Sequence, residues 1–229
     1  GCEPGEVRGS DEASIEELEA TALRARQHYF ADAARLSAAR KKHADALGRA
    51  VTAELADLGM PHGEFRVELQ PKPDDHPDAT GLERVEFQVR LNPGQPFGPL
   101  TRMASGGELS RLSLAIEVVR ADSSVIPTFV FDEVDTGVGG RVAEIVGRKL
   151  GQLGVNRQVL CVTHLPQVAS QGQRHYRVIK LTDGQSSRTN VSELSGNERV
   201  EELSRMLGGI EITERTRAHA AEMIDRAAK

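Results

Sequence analysis

The feature that most constrains this chain is a run of 48 residues, from Asp11 to Leu58, with no proline and a single glycine. Its many Ala, Glu, Arg and Leu residues are strong helix formers, so the run predicts one continuous helix. At about 1.5 Å per residue the helix would be roughly 70 Å long, which exceeds the diameter of a small domain. We therefore expect a projecting arm over 11–58, after a linker or disordered segment over 1–10.

A heptad seam runs along this helix. Residues spaced alternately three and four apart along it are almost all apolar; Asp32 and His43 are the strongly polar exceptions. The set is Ile15, Leu18, Ala22, Ala25, Tyr29, Asp32, Leu36, Ala39, His43, Ala46, Ala50 and Ala53. Length and seam favour a coiled-coil arm over a lone amphipathic helix lying on a domain. The larger Val51, Leu55 and Leu58 predict that this end docks onto a core.

The composition limits where such a chain can work. It has 38% apolar residues, two cysteines and a formal net charge of −5. No window approaches the roughly 18–20 apolar residues of a membrane span, and the acidic N-terminus does not resemble a secretory signal. Cys2 and Cys161 do not suggest a disulfide framework. We expect a cytoplasmic chain with no membrane partner, which could associate with the nucleoid.

Residues 59–229 predict an α/β domain. Two runs, 63–70 and 84–91, alternate polar and apolar residues as half-buried strands do. After them, short apolar strands alternate with helices, which is typical of a mainly parallel sheet whose two faces are both covered. The predicted elements are a helix over 108–121, a strand over 125–133, a helix over 139–154, strands over 158–164 and 175–181, and helices over 197–207 and 213–228.

Two adjacent carboxylates, Asp132 and Glu133, end the apolar strand TFVF. Ligands of open α/β sheets bind at the carboxyl ends of the strands. In nucleotide hydrolases an Asp at this position holds Mg²⁺, and a following Glu can orient or deprotonate the attacking water. An acidic strand end that only caps the next loop explains the pair equally well.

A second signal lies where a loop becomes a helix, at Ser105-Gly106-Gly107-Glu108. Two glycines allow a ligand to approach the backbone closely, and the free N–H groups of a first helical turn favour a phosphate. The alternative is a capping box between Ser105 and Glu108, which need not exclude phosphate binding.

A third signal is Thr163-His164, at the end of the strand QVLCVTH. His164 could reach the same ligand as Asp132, although a histidine at a strand end is more often structural. Between the two strands lies a Gly-rich loop, Val134 to Gly140, which contains Asp135.

The order of these signals resembles the signature motif, Walker B motif, D-loop and switch histidine of ABC-type ATPases. The Ser-Gly-Gly-Glu sequence together with a coiled-coil arm resembles the SMC-like branch. More closely, six segments resemble the C-terminal part of the RecN family of bacterial DNA repair ATPases. The segments are MPHGEFRVEL, NPGQPFGPLTRMASGGELSR, FDEVDTGVGG, CVTHLPQVAS, RMLGG and the long helix, which falls where that family has its returning coiled-coil arm.

The resemblance implies the fold and the catalytic roles. The fold would be the C-terminal lobe of an ATPase head, with a mainly parallel sheet covered by helices. Asp132 would position Mg²⁺ and Glu133 would activate the hydrolytic water. His164 would contact the γ-phosphate and that water, and Asp135 would communicate across a dimer of heads.

The resemblance also implies how nucleotide is held. Ser105, Gly106, Gly107 and Glu108 would form the nucleotide-binding segment, in which Ser105 and the two glycine N–H groups grip the γ-phosphate of an ATP held mainly by a second head. Two heads would thus enclose two ATP molecules in a homodimer.

One part of an ATPase is missing from these residues. The sequence contains no G-x-x-x-x-G-K-[ST] loop, the Walker A motif that cradles phosphates. We expect an N-terminal half of the same head to supply it, and this chain alone to be inactive as an ATPase.

DNA is the partner that the resemblance implies, in double-strand break repair and recombination. Residues 24–49 carry seven basic side chains against two acidic ones, a stripe that could meet phosphates or an acidic partner arm. The alternative functions are a non-catalytic coiled-coil scaffold that only dimerises, and half of another SMC-like or ABC-type ATPase.

Overall fold

The computed structural model describes residues 6–73, 78–121, 123, 125–182, 187–208 and 211–228. The first five residues of the expected linker lie outside the described residues. The chain divides into two compact units, one of residues 1–48 and 66–87 and the other of residues 49–65 and 88–229. The predicted division into an arm over 11–58 and a head lobe over 59–229 stays a prediction.

The long helix is confirmed: α1 spans Glu6–Asp57, and therefore starts before the predicted residue 11. Its seam side chains Ile15 and Leu18 are 54% and 66% exposed. Further along, Val51, Leu55 and Leu58 are fully buried, as their size predicted. The helix thus presents an uncovered seam at one end and contributes core side chains at the other.

Within the first unit, α1 contacts the segment that follows it. Ala33 is buried, and Arg40 donates from Nη1 to the Thr80 carbonyl at 2.9 Å and lies 3.4 Å from Glu83 Oε2. The Tyr29 hydroxyl accepts a hydrogen bond from the Asp78 backbone N–H at 3.3 Å. These contacts fix one side of the helix.

Three strands follow α1 in sequence: β1, Glu64–Pro71; β2, Glu83–Arg90; and β3, Gly98–Pro99. They form a sheet in the order β1-β2-β3, with β2 and β3 antiparallel. The first two strands agree with the predicted runs to within one residue at each end.

The second unit continues with α2, Leu100–Met103; α3, Gly106–Val119; β4, Thr128–Phe131; α4, Gly140–Leu153; β5, Gln158–Cys161; and α5, Pro166–Ala169. β4 and β5 form a parallel pair, in the register Phe131↔Cys161. The carboxyl ends of the two strands therefore lie side by side.

The chain ends with β6, His175–Thr182; β7, Ser187–Leu194; α6, Gly196–Gly208; and α7, Glu214–Ala227. β6 and β7 form an antiparallel pair. Leu203 of α6 packs with Ala220 of α7 and with Ala169 in a buried cluster. The α/β class is confirmed, with β4–β5 parallel and β2–β3 and β6–β7 antiparallel. β7 was not predicted.

The expectation that both faces of the apolar strands are buried is wrong for β4 and β5. Phe131 is buried on one face, whereas Val130 and Leu160 on the other face are 70% and 49% exposed. Val130 and Leu160 are exposed because no described residue packs against their face of the β4–β5 pair. No helix in the described part of the chain is both long and apolar enough to cross a bilayer.

Candidate functional site

The predicted nucleotide-binding segment lies at the start of α3. Ser105 is the N-cap: its Oγ accepts from the Glu108 N–H at 3.4 Å, and Glu108 Oε2 accepts from the Ser105 N–H at 2.8 Å. The predicted capping box is therefore present. Ser105 and Gly106 are exposed, whereas Gly107 is buried. The backbone N–H groups at the first residues of this turn, which have no partner within a helix, therefore lie at the surface.

Glu133 follows β4 in an unusual backbone conformation. Its φ is +58°, a left-handed region that costs a residue with a β-carbon about 1–3 kcal/mol. The Glu133 N–H donates to Asp132 Oδ1 at 2.9 Å, and the Glu133 carbonyl accepts from the Thr136 N–H at 3.0 Å. This turn directs the Glu133 carboxylate to Gly106, where an added β-carbon would overlap Oε2.

Asp135 joins the loop after β4 to the loop after β5. It is 2% exposed, and its Oδ2 accepts hydrogen bonds from Thr163 Oγ1 at 2.5 Å and from the His164 backbone N–H at 3.1 Å. His164 Nδ1 lies 3.3 Å from the same oxygen, while the imidazole is 71% exposed. The buried carboxylate thus orients an exposed histidine.

Two side chains of α3 reach the loop after β4. Ser110 Oγ donates to the Asp132 carbonyl at 2.6 Å. Arg111 donates from Nη1 to the Thr136 carbonyl at 2.7 Å and lies 3.4 Å from the Val134 carbonyl. Burial lowers the pKa of Arg111, and the nearby Glu108 and Asp135 oppose that shift.

The segment after His164 is held from α6. Arg199 donates from Nη2 to the carbonyls of Ser170 and Gly172, at 2.7 and 2.6 Å. Burial lowers the pKa of Arg199. Ser170 caps α5 and Gly172 follows it, so this contact holds the chain just after α5.

The structure therefore brings the predicted site residues into one region of the second unit. Gly106 touches Glu133, α3 bonds to the loop after β4, and Asp135 bonds to His164. The prediction that Asp135 contacts a second head stays a prediction; its described contacts lie within the chain. Sequence reasoning assigned no role to Ser110, Arg111 or Arg199. Ser110 and Arg111 could have been noticed because they continue the Ser-Gly-Gly-Glu motif.

The residues fit a magnesium nucleotide as one side of its site. Asp132 is exposed at the strand end, and Mg²⁺ in nucleotide sites usually takes one or two carboxylates together with phosphate and water oxygens. No group of three His, Cys, Asp or Glu side chains suited to a metal ion occurs in the described ranges. Asp132 is therefore suited to contribute one ligand or a hydrogen bond to a bound water.

Cys161 is the last residue of β5. Burial, and to a smaller extent Asp135 and Asp132, raise the pKa of its thiol to about 12. The side chain is a protonated, structural thiol.

Comparisons with known proteins identify relatives of this chain. DNA repair protein RecN of Xylella fastidiosa (strain 9a5c) is 48% identical over 192 residues, which are 84% of this chain and 34% of that protein. RecN of Haemophilus influenzae is 48% identical over 202 residues, 88% and 36% of the two chains. RecN of Streptomyces coelicolor is 45% identical over 221 residues, 91% and 38%. The chain thus spans little more than a third of the length of these relatives.

A solved structure supports the fold. The Smc head domain with a coiled coil and joint derived from Pyrococcus yayanosii superimposes with a TM-score of 0.59, at 18% identity, over 85% of this chain and 35% of that one. No protein-family model matches the chain. The resemblance to RecN proteins and to the SMC-like head fold is confirmed.

Proposed function

We propose that this chain, which is 45–48% identical to RecN proteins over 34–38% of their length, is the C-terminal lobe of an ATPase head that acts in DNA double-strand break repair and recombination. The observation that carries the proposal is that Glu133 and Asp135 follow β4 and His164 follows its parallel neighbour β5, with Asp135 bonded to the His164 N–H. Open α/β sheets bind ligands at this edge.

The chemistry assigned to the chain is activation of water. The carboxylate of Glu133 accepts a proton from the water that attacks the terminal phosphorus of ATP. His164, oriented by Asp135, lies within the same region to hydrogen-bond that water or a phosphate oxygen. Mg²⁺, when bound, neutralises charge that develops on the phosphates, and Asp132 is the residue of this chain that would hold it.

A second head would be recognised through the start of α3. Ser105 and Gly106 are exposed, and the N–H groups of a helix N-terminus favour a phosphate. These groups are suited to a nucleotide held mainly by another subunit, so head dimerisation would depend on bound ATP. Hydrolysis removes the γ-phosphate that both heads contact, which releases the dimer.

The remaining half of this head would be the N-terminal part of the same protein. The 229 residues contain no Walker A motif, and that half would supply it. The exposed apolar side chains on β4 and β5, Val130 and Leu160, support such a partner. So do Tyr176 and Val178 of β6, which are 50% and 66% exposed. On this proposal the chain alone has no ATPase activity.

DNA is the proposed larger partner. Arg24, Arg35 and Lys42 lie 11 and 7 residues apart, close to whole numbers of helical turns, so they share one face of α1. Ala33, which is buried, lies on the opposite face. The three cations are exposed, and a row of cations suits the phosphate backbone of a duplex. A cytoplasmic, nucleoid-associated location would follow.

The test is Glu133→Gln in the full-length protein that contains this chain. We expect ATP binding and head dimers to persist while hydrolysis falls by about 10²–10⁴-fold, because the amide cannot accept the proton. Glu144→Gln, at an exposed glutamate of α4, is the matched control and should hydrolyse ATP normally.

Near-normal turnover in the Glu133 variant would remove this residue from the catalytic role. If Asp132→Ala and Glu133→Ala both left DNA repair in cells intact, the chain would instead serve as a non-catalytic dimerising scaffold.

A further inference from the structure

Helix α3 is bonded to alternate carbonyl groups of the loop that follows β4. Ser110 donates to the carbonyl of Asp132, and Arg111 donates to that of Thr136 and approaches that of Val134. The loop is therefore expected to follow a displacement of the first turns of α3, because one helix holds its backbone at three alternate residues.

Close packing strengthens this connection. A β-carbon at Gly107 would lie 3.0 Å from both Cβ and the carbonyl oxygen of Thr136, and 3.2 Å from Arg111 Nη1. The backbone of α3 thus contacts the loop directly, without a side chain between them. Such a dense contact transmits displacement, since packed interiors have few voids that could absorb it.

An arginine at position 111 costs more free energy than a side chain that only fills space. Arg111 is 5% exposed, and its Nε is buried without a hydrogen-bond partner among the described residues. Burial of a cation with an unpaired donor is unfavourable, whereas an apolar side chain of similar size would fill the same volume without that cost. The loop carbonyls that Arg111 contacts give the cation a specific role.

The two ends of this connection serve different nucleotides in the proposed dimer. The start of α3, with Ser105 and Gly106, would contact ATP held mainly by the second head. Glu133 would act on ATP held by its own head, and Asp135 in the same loop orients His164. One rigid connection within the lobe thus joins the two ATP sites.

We propose that Ser110 and Arg111 are positioning residues that transmit nucleotide contact at the start of α3 to Glu133 and His164, so that the two ATP sites of a dimer hydrolyse cooperatively. The inference rests on the proposed function. Neither side chain needs to touch nucleotide, because each acts through the loop carbonyls.

The test compares Ser110→Ala with Ser110→Thr in the full-length protein. Alanine removes the hydroxyl donor, whereas threonine retains it. We expect the alanine variant to lose roughly tenfold in kcat with a KM within about twofold of the parent, and its Hill coefficient for ATP to fall toward unity. The threonine variant should restore both kcat and cooperativity.

Arg111 is tested by Arg111→Lys and Arg111→Gln, with Arg148→Gln at an exposed arginine of α4 as the control. Lysine keeps the charge and a donor, so it should retain more activity than glutamine. Melting temperatures of all variants, measured in parallel, identify any loss that reflects unfolding. If the loss of kcat in each variant equals the loss of folded protein, and the Hill coefficient is unchanged, the inference is overturned.

The outcomes separate this inference from the proposed function. An inactive parent protein, or an active Glu133→Gln variant, would contradict the ATPase assignment itself. An active parent with a Hill coefficient of unity, or a Ser110→Ala variant with the parent's kcat and cooperativity, would overturn the positioning role and leave the ATPase assignment intact.

Discussion

Gly106 provides the space that the carboxylate of Glu133 occupies: a β-carbon at residue 106 would overlap Glu133 Oε2. The glycine at the start of α3 and the proposed catalytic base are thus in direct contact within one chain. Glycine at residue 106 thus leaves room for the glutamate side chain.

Gly106→Ala should therefore displace Glu133. We expect the full-length variant to lose at least roughly tenfold in ATP hydrolysis, because a misplaced catalytic group can reduce the rate by about 10²-fold. Steady-state hydrolysis measures the effect.

Gly139→Ala is the matched control, since a β-carbon at Gly139 meets no atom within 4 Å of the described structure and its φ of −166° suits any residue. Equal activities of the two variants would contradict the steric argument.

Asp135 should contribute to stability as well as to orientation of His164. Asp135→Ala removes one acceptor of the Thr163 hydroxyl, which also lies 3.4 Å from the Leu165 carbonyl, and the acceptor of the His164 N–H. An unpaired donor costs up to about 1–3 kcal/mol when it is fully buried, and these two donors are partly buried. Urea denaturation should show a lower free energy of unfolding than for Asp225→Ala, a substitution on the exposed surface of α7. A difference below the error of the measurement would mean that solvent replaces the lost acceptor.

The thiol of Cys161 should be unreactive in the folded chain. Its pKa is raised from 9.0 to about 12 by burial, so it stays protonated at pH 8 and the nucleophilic thiolate is scarce. In a Cys2→Ser background, a thiol reagent should label the native chain far more slowly than the urea-unfolded chain. Rapid labelling of the native chain would contradict the burial of this residue.

The same shift predicts a pH dependence of stability. Above about pH 9 the unfolded chain loses the thiol proton while the folded chain keeps it. The free energy of unfolding therefore falls as the pH rises from about 9 toward 12. Cys161→Ser should reduce this loss of stability at alkaline pH, measured by urea denaturation at several pH values.

The basic face of α1 should bind DNA through phosphate contacts. Replacement of Arg24, Arg35 and Lys42 by alanine should weaken duplex binding and reduce the slope of log affinity against log salt by about one unit for each side chain. Fluorescence anisotropy over a range of salt concentrations measures the slope.

The control replaces three exposed arginines on other elements, Arg148, Arg188 and Arg215, so that net charge changes equally. An equal effect of both triple variants would indicate general charge rather than this face of the helix.

Local sequence patterns predicted α1 and the capping box well, for physical reasons. The helix follows from a long run of helix formers without proline, and the capping box at Ser105 follows from residues three apart. These features depend on neighbours in the sequence. The meeting of Asp132 and His164 at one sheet edge followed from the parallel pairing of two apolar strands.

Features that depend on distant contacts were not predicted. β7 has a polar sequence, SRTNVSEL, and forms because β6 supplies its hydrogen-bonding partner. The left-handed conformation of Glu133 has no sequence signal, since the surrounding loop imposes it. Arg111 was visible within its motif, yet its carbonyl partners lie 23 and 25 residues away.

The one-sided cover of β4 and β5 has a consequence for the life of the protein in the cell. Val130 and Leu160 form an apolar surface of the kind that chaperones and proteases recognise on incompletely assembled proteins. A lobe separated from its other half would display this surface continuously, whereas an intact head would hide it. β4 and β5 would in this way also mark broken or half-made copies for removal.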